Sequence, residues 1–365
     1  MTHRYFPGLN ALRFYAALSV VFAHLTVSFI PMRPWGVPEM PFRWLFLSGW
    51  DSVNLFLVLS GFLIGYLLLN EVRATRTTDL KRFWIRRSLR IWPLYYAVAL
   101  PAVLILPSLA LAAQNAAPLT PVGGLLILLL QPHWLTTTYL GPFAHLWSLG
   151  LEETFYIVFP FLIRRPRHVL NVAFAILVLR YALEIVAHTT GFPAFGDLLF
   201  VLRFECILVG VLGAYVYVYS PGVTQVLYRL WVQRGGWGLF ALIVVFGTEV
   251  QSVTYNLASG VVFLIVILNV ATNADAIVRL KHPALEELGK LSYALYMWHY
   301  PALFVAVVLI HWIPDPGVYS VLLYGLTVGL TFVAAYLSHR FLETPFLRLK
   351  DRARRRRLTV AAAGD

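Results

Sequence analysis

The chain has 365 residues, 59% hydrophobic and 13% charged, with a mean hydropathy of +0.73. That is too apolar for a soluble domain of this length and leaves a polytopic α-helical membrane protein. The net charge of +12 could suit a nucleic-acid partner, but its division between loops excludes one, and a single cysteine, Cys206, excludes a disulfide framework or a cysteine-based metal site.

Apolar runs of ~17–25 residues predict ten spans, at 9–30, 51–70, 91–111, 146–163, 169–188, 198–219, 237–252, 254–270, 292–312 and 318–338. The first is read as a retained helix, because its apolar stretch exceeds a signal-peptide core and no small-x-small cleavage site follows it. It carries Arg13 and His24. Eleven residues make three turns plus roughly 20°, so the two side chains share a face ~16 Å apart. Ionisable groups at membrane depth mark functional pathways by default; the competing reading is a snorkelling arginine and a packed histidine.

The second span opens with Asp51 and Asn54 and continues to Ser60-Gly61, where a small pair lets a neighbouring backbone or a ligand approach closely. The third is entered by Arg86-Arg87-Ser88-Leu89-Arg90-Ile91-Trp92-Pro93. Guanidinium forks suit phosphate, and the spacing puts Arg86 and Arg90 on one face aimed at the bundle. Pro121–Gln131 has an apolar core too short to span and is expected to be re-entrant or to lie on the outer surface.

The fourth span opens from outside with His145-Leu146-Trp147-Ser148-Leu149-Gly150-Leu151-Glu152-Glu153-Thr154-Phe155-Tyr156. His145 and Glu152 share a face, with Ser148 and Tyr156 close by. Glu152 is expected ~9 Å below the outer end of its helix, level with His24, whose tautomer a carboxylate there would fix. Glu153 is explained by the helix dipole. Arg180 and Glu184 in the fifth span, and Arg203 and Glu205 in the sixth, are expected to pair structurally, Arg180 having an intrahelical partner at hand. The ninth span carries Ser292-Tyr293-Ala294-Leu295-Tyr296-Met297-Trp298-His299-Tyr300-Pro301, with His299 expected in its inner half.

Of the 29 Lys and Arg, 24 fall in alternate loops and the tail, whereas the opposite loops hold only Arg33 and Arg43. The positive-inside rule then puts both termini in the cytoplasm. Residues 1–345 form the membrane domain. Residues 346–365 form a basic tail, whose run Arg352–Arg357 suits anionic inner-leaflet lipid.

These blocks in this order, from Pro7-Gly8-Leu9-Asn10-Ala11-Leu12-Arg13 to Phe341-Leu342-Glu343-Thr344-Pro345, resemble the membrane-bound acyltransferase family 3, bacterial O-acyltransferases of sugars and related acceptors. The resemblance implies ten core helices, acyl-CoA (acetyl-CoA above all) as donor, no metal, and transfer to a hydroxyl of a carbohydrate or glycosylated acceptor. It matches Arg13 and His24 to the family's first-helix pair, Arg86, Arg87 and Arg90 to its RRxxR cluster, Glu152 to its WSLxxE block, and Ser292, Tyr293, Tyr296 and His299 to its SYxxYxxH block. Asn54 stands where many members have Asp, and Thr154 where many have Gln. No SGNH-type domain is read after the core, so acceptor transfer is expected in the membrane domain or on a separate partner.

Residues and resemblance together give one expected mechanism. Donor phosphates dock on Arg86, Arg87 and Arg90, with Tyr296 and His299 also on the donor side. His24 is the general base with Glu152 as its orienter, and Arg13 binds phosphate or the developing oxyanion. The acceptor meets His145, Ser148, Asp51 and Asn54. The alternative is a proton-coupled transporter or exporter, which would use intramembrane Arg, Glu and His but has no need of the arginine cluster.

Overall fold

A computed structural model describes residues 6–26, 42–112, 120–135, 145–163, 165–191, 196, 199, 203–247 and 252–349. Arg4, Arg33, Arg164 and Arg352–Arg357, all used in the charge reading, lie outside the described residues. Among the described residues there are helices and no strand. They are α1 (Leu9–Thr26), α2 (Gly49–Thr75), α3 (Leu80–Ala112), α4 (Pro121–Leu128), α5 (Trp147–Leu162), α6 (Val169–Thr190), α7 (Glu205–Tyr219), α8 (Pro221–Leu227), α9 (Leu230–Phe246), α10 (Val253–Thr272), α11 (Pro283–Lys290), α12 (Ser292–Ile310) and α13 (Pro316–Ser338). The chain is an all-α polytopic membrane protein.

Each of the ten expected spans carries a helix: α1, α2, α3, α5, α6, α7, α9, α10, α12 and α13. By length and composition alone, five stretches suffice to cross a membrane: Arg43–Thr75, Val169–Thr190, Val253–Thr272, Ser292–Ile310 and Pro316–Leu349. A sixth is added if α7 and α8, bent by 116°, count as one. Pro221 explains that bend, because it disfavours helical geometry at Ser220, whose φ is −128° and ψ 68°. α3 begins eleven residues before the expected span at 91, since its basic first turns continue the helix beyond the apolar window. α9 is likewise displaced towards the N-terminus, taking in Gln233 and Arg234 and ending before Gly247.

α2 is the organising helix, and its two faces differ in kind. On one side lie Val58, Gly61 and Gly65, packed on α7. A Cβ on Gly61 would lie 2.1 Å from the Ile207 carbonyl oxygen, and one on Gly210 2.2 Å from that of Val58, so the backbones are in direct contact. On the other face, Val53, Phe56, Leu57, Ser60, Leu63, Ile64 and Leu67 line a cavity.

Residues 121–135, covering the segment expected to be re-entrant or on the outer surface, form α4 and a short 3-10 turn at Pro132–Trp134. The hydroxyls of Tyr95 and Tyr96 donate to the carbonyls of Ile127 (2.8 Å) and Leu128 (2.9 Å), satisfying end-of-helix carbonyls away from water. A Cβ on Gly124 would meet Val103, so α4 runs back along α3. The chain then turns, and Gln131 accepts a hydrogen bond from Thr154 Oγ1 at 3.1 Å on α5, while His133 packs against Gly150.

Candidate active site

Helices α1, α2, α3, α5 and α12 enclose a cavity of about 190 Å³. Its polar lining is Arg13, Ser60, Arg87, Arg90, Ser148, Glu152, Tyr156, Ser292, Tyr293 and Tyr296. Ser60 Oγ donates to one oxygen of Glu152 and Tyr156 Oη to the other, both at 2.8 Å, so the carboxylate is held from α2 and from its own helix. Arg87 lies over the Phe83 and Tyr156 rings, 5.8 and 5.4 Å from their centroids. Among the described residues, Arg13, Arg87 and Arg90 take part in no ion pair. Three guanidiniums therefore face one carboxylate across this cavity, an excess of positive charge that fits a polyanion.

Arg86, expected to share the inward face with Arg90, does not line this cavity. Residues 86 and 90 are offset by ~40° around a helix and residues 87 and 90 by ~60°, so spacing alone admits either pair. The helix presents Arg87 and Arg90.

A second cluster gathers three histidines from three helices and their leads. His24 Nδ1 lies 3.0 Å from the Val20 carbonyl oxygen and 3.2 Å from His299 Nε2. His299 Nδ1 lies 2.5 Å from the Tyr296 carbonyl oxygen. His145 is 4.9 Å from His299 between ring centroids, and it stacks on Tyr300 at 4.9 Å with 10° between planes. The His24 ring meets the same tyrosine at 4.7 Å. His145 is 2% exposed, packed between His299 and Tyr300.

Tyr296 belongs to both clusters. It lines the cavity, and its hydroxyl is 2.7 Å from both Ser148 Oγ and the His145 carbonyl oxygen. Its ring lies 5.6 Å from those of His145 and His299. The Tyr296–Ser148 pair is thus the shared wall between cavity and histidines.

Glu152 is not beside His24; its neighbours are Ser60, Tyr156 and Arg13. The group against His24 is His299, expected deeper, in the inner half of its span. An α5 that began at the outer surface would bring Glu152 level with His24. Its 16 residues make ~24 Å, short of a ~30 Å hydrocarbon core. The helix begins at the depth of His24, where His145 stands, and Glu152 lies two turns further in.

Asp51 and Asn54 are held on the side of α2 away from the cavity. Asp51 closes the cap of α2, accepting from Ser48 Oγ at 2.8 Å, and also accepts from Tyr255 Oη at 3.0 Å. Asn54 donates to Asn256 Oδ1 (3.0 Å), and Asn256 donates to Glu205 Oε1 (2.8 Å). Glu205 pairs with Arg180 at 3.5 Å, which replaces the intrahelical pair expected with Glu184; that residue accepts from the Val253 backbone N–H instead. Arg203 sits over Trp50 and Trp147, 4.6 and 5.2 Å from their centroids.

Sequence reasoning missed Tyr300, although Tyr296, His299 and Tyr300 stand at i, i+3 and i+4 and so share a face. Ser60 as a partner of Glu152, and His133, had no local signal, since each acquires its role through another segment.

The family described as "Acyltransferase domain" matches residues 6–340. The chain is similar to O-acetyltransferase OatA of Staphylococcus aureus (strain NCTC 8325 / PS 47), 29% identical over 368 residues that cover 94% of this chain and 57% of that protein. It is also similar to the putative O-acetyltransferase SACOL0978 of S. aureus strain COL, 27% identical over 375 residues with the same coverage. The chain therefore spans 57% of the length of these relatives. No solved structure matches it. With a family match over nearly the whole membrane region, the chain belongs to the acyltransferase 3 family.

Proposed function

We propose that this protein is an integral-membrane O-acyltransferase that moves an acetyl group from cytoplasmic acetyl-CoA to a hydroxyl of a carbohydrate or glycosylated acceptor. The observation that carries the reading is the cavity whose Arg13, Arg87 and Arg90 take part in no ion pair among the described residues. A donor bearing several phosphates supplies the missing charge, and the apolar wall from α2 suits its pantetheine arm. The relatives' printed activity, O-acetyl transfer, agrees.

His24 takes the proton of the acceptor hydroxyl, and the oxygen attacks the thioester carbonyl. The tetrahedral intermediate then expels the thiolate, which takes the proton back from the imidazolium. His145, buried beside His299 and Tyr300, receives the acceptor hydroxyls. Arg13, Arg87 and Arg90 hold the donor, and Glu152, fixed by Ser60 and Tyr156, sets the charge balance among them. Both termini face the cytoplasm of a bacterial plasma membrane, residues 1–345 form the catalytic domain, and the basic tail 346–365 rests on anionic lipid.

The test is thiol release from acetyl-CoA by purified protein in lipid, with a panel of methyl glycosides as acceptors. Glycoside-dependent release supports the reading. Protein that binds no CoA and releases no thiol contradicts it.

A further inference from the structure

We infer that His299 is a positioning residue that fixes His24 in the tautomer needed for proton abstraction; this rests on the reading of His24 as the base. A backbone carbonyl only accepts, so the contact between His299 Nδ1 and the Tyr296 carbonyl at 2.5 Å puts the proton of the neutral ring on Nδ1. His299 Nε2 is then a lone pair, and it faces His24 Nδ1 at 3.2 Å. The other neighbour of His24 Nδ1 is the Val20 carbonyl oxygen at 3.0 Å, a second acceptor. Two acceptors meeting one nitrogen require a proton there. His24 therefore carries its hydrogen on Nδ1 and keeps the lone pair on Nε2, the nitrogen that receives the acceptor proton.

The chain of partners also serves the next step. When His24 Nε2 takes a proton, the ring becomes a cation whose Nδ1–H still points at two acceptors, and both bonds strengthen. A carboxylate does this in many general-base sites; here an imidazole, itself anchored to the backbone of α12, does so without adding a charge. His299 is 1% exposed, so bulk solvent does not compete for its Nε2. The tyrosine whose carbonyl anchors His299 is the one whose side chain walls the donor cavity, so one turn of α12 aligns the base and bounds the donor.

Two substitutions separate the two ends of the ring. Asn at 299 offers a donor where Nδ1 stood and nothing where Nε2 stood; Gln offers an oxygen acceptor near the Nε2 position. His299→Asn is expected to lower kcat for acetyl-CoA thiol release with methyl glycosides roughly 10- to 100-fold, the worth of a hydrogen bond to a charged group. The KM for acetyl-CoA and the Kd for CoA stay within about twofold, and His299→Gln recovers most of kcat. Solid-state NMR of ¹⁵N-histidine-labelled protein in lipid gives a readout apart from activity. The His24 signals, assigned by their loss in His24→Ala, show a protonated Nδ1 in the parent and a mixture of tautomers in His299→Asn. Equal kcat in the Asn and Gln variants, or a His24 ring protonated on Nε2 in the parent, overturns the inference. If instead His24→Ala transfers acetyl at the parent rate, the base assignment itself falls, an outcome distinct from any result at 299.

Discussion

The hydroxyl of Tyr296 lies 2.7 Å from Ser148 Oγ, and this pair divides a cationic cavity from the ring of His24. The thioester of a donor held by the cavity's arginines lies across this wall from the histidines. Tyr296→Phe keeps the ring and removes the bonds to Ser148 and to the His145 carbonyl. Acceptor-independent hydrolysis of acetyl-CoA is expected to rise severalfold, with CoA affinity unchanged. Thiol release in the absence of glycoside measures it.

Arg87→Ala and Arg90→Ala each remove a charge-assisted partner worth about 1.5–3 kcal/mol, so the KM for acetyl-CoA rises roughly 10- to 100-fold in each. Arg86→Ala, outside the cavity lining, changes it by less than about threefold. S-acetylpantetheine, which lacks the nucleotide phosphates, shows no such difference between parent and variants. The parent's KM for acetyl-CoA also climbs with ionic strength.

The crossing of α2 and α7 has no room for a methyl group. Gly61→Ala would place Cβ 2.1 Å from the Ile207 carbonyl oxygen and is expected to cost about 2–3 kcal/mol, seen as a lower Tm in detergent. Gly238→Ala on α9, with nothing within 4 Å, leaves Tm unchanged or raised.

The buried pair of Arg180 and Glu205 holds α6 to α7. Glu205→Ala leaves a buried guanidinium without its carboxylate, a loss of about 3–5 kcal/mol. Glu184→Gln retains an acceptor for the Val253 N–H and costs under about 1 kcal/mol. Thermal melts of the two variants rank the pairs, and equal shifts contradict the assignment.

The helices were legible because a span must be apolar over ~20 residues, and Arg13, Arg87, Arg90 and Glu152 were legible because charge in such a helix needs a reason. Depth was harder to read. Helix α5 is short, and nothing in Trp147–Leu162 announces that it starts level with His24, so the sequence pattern alone puts Glu152 at that level and His145 above it. Faces were harder too: Asn54 reads as a site residue until Asn256, 202 positions away, is seen to claim it. Arg180 has Glu184 one turn along its own helix, yet the tertiary fold gives it Glu205.

The most direct test of the account is single-turnover acetyl transfer by His24→Ala, with the Kd for CoA measured on the same preparation in lipid. The account predicts CoA binding within about twofold of the parent, because His24 lies outside the cavity lining, and transfer to methyl glycosides slowed at least ~100-fold. Transfer within tenfold of the parent, on protein that binds CoA normally, would contradict it.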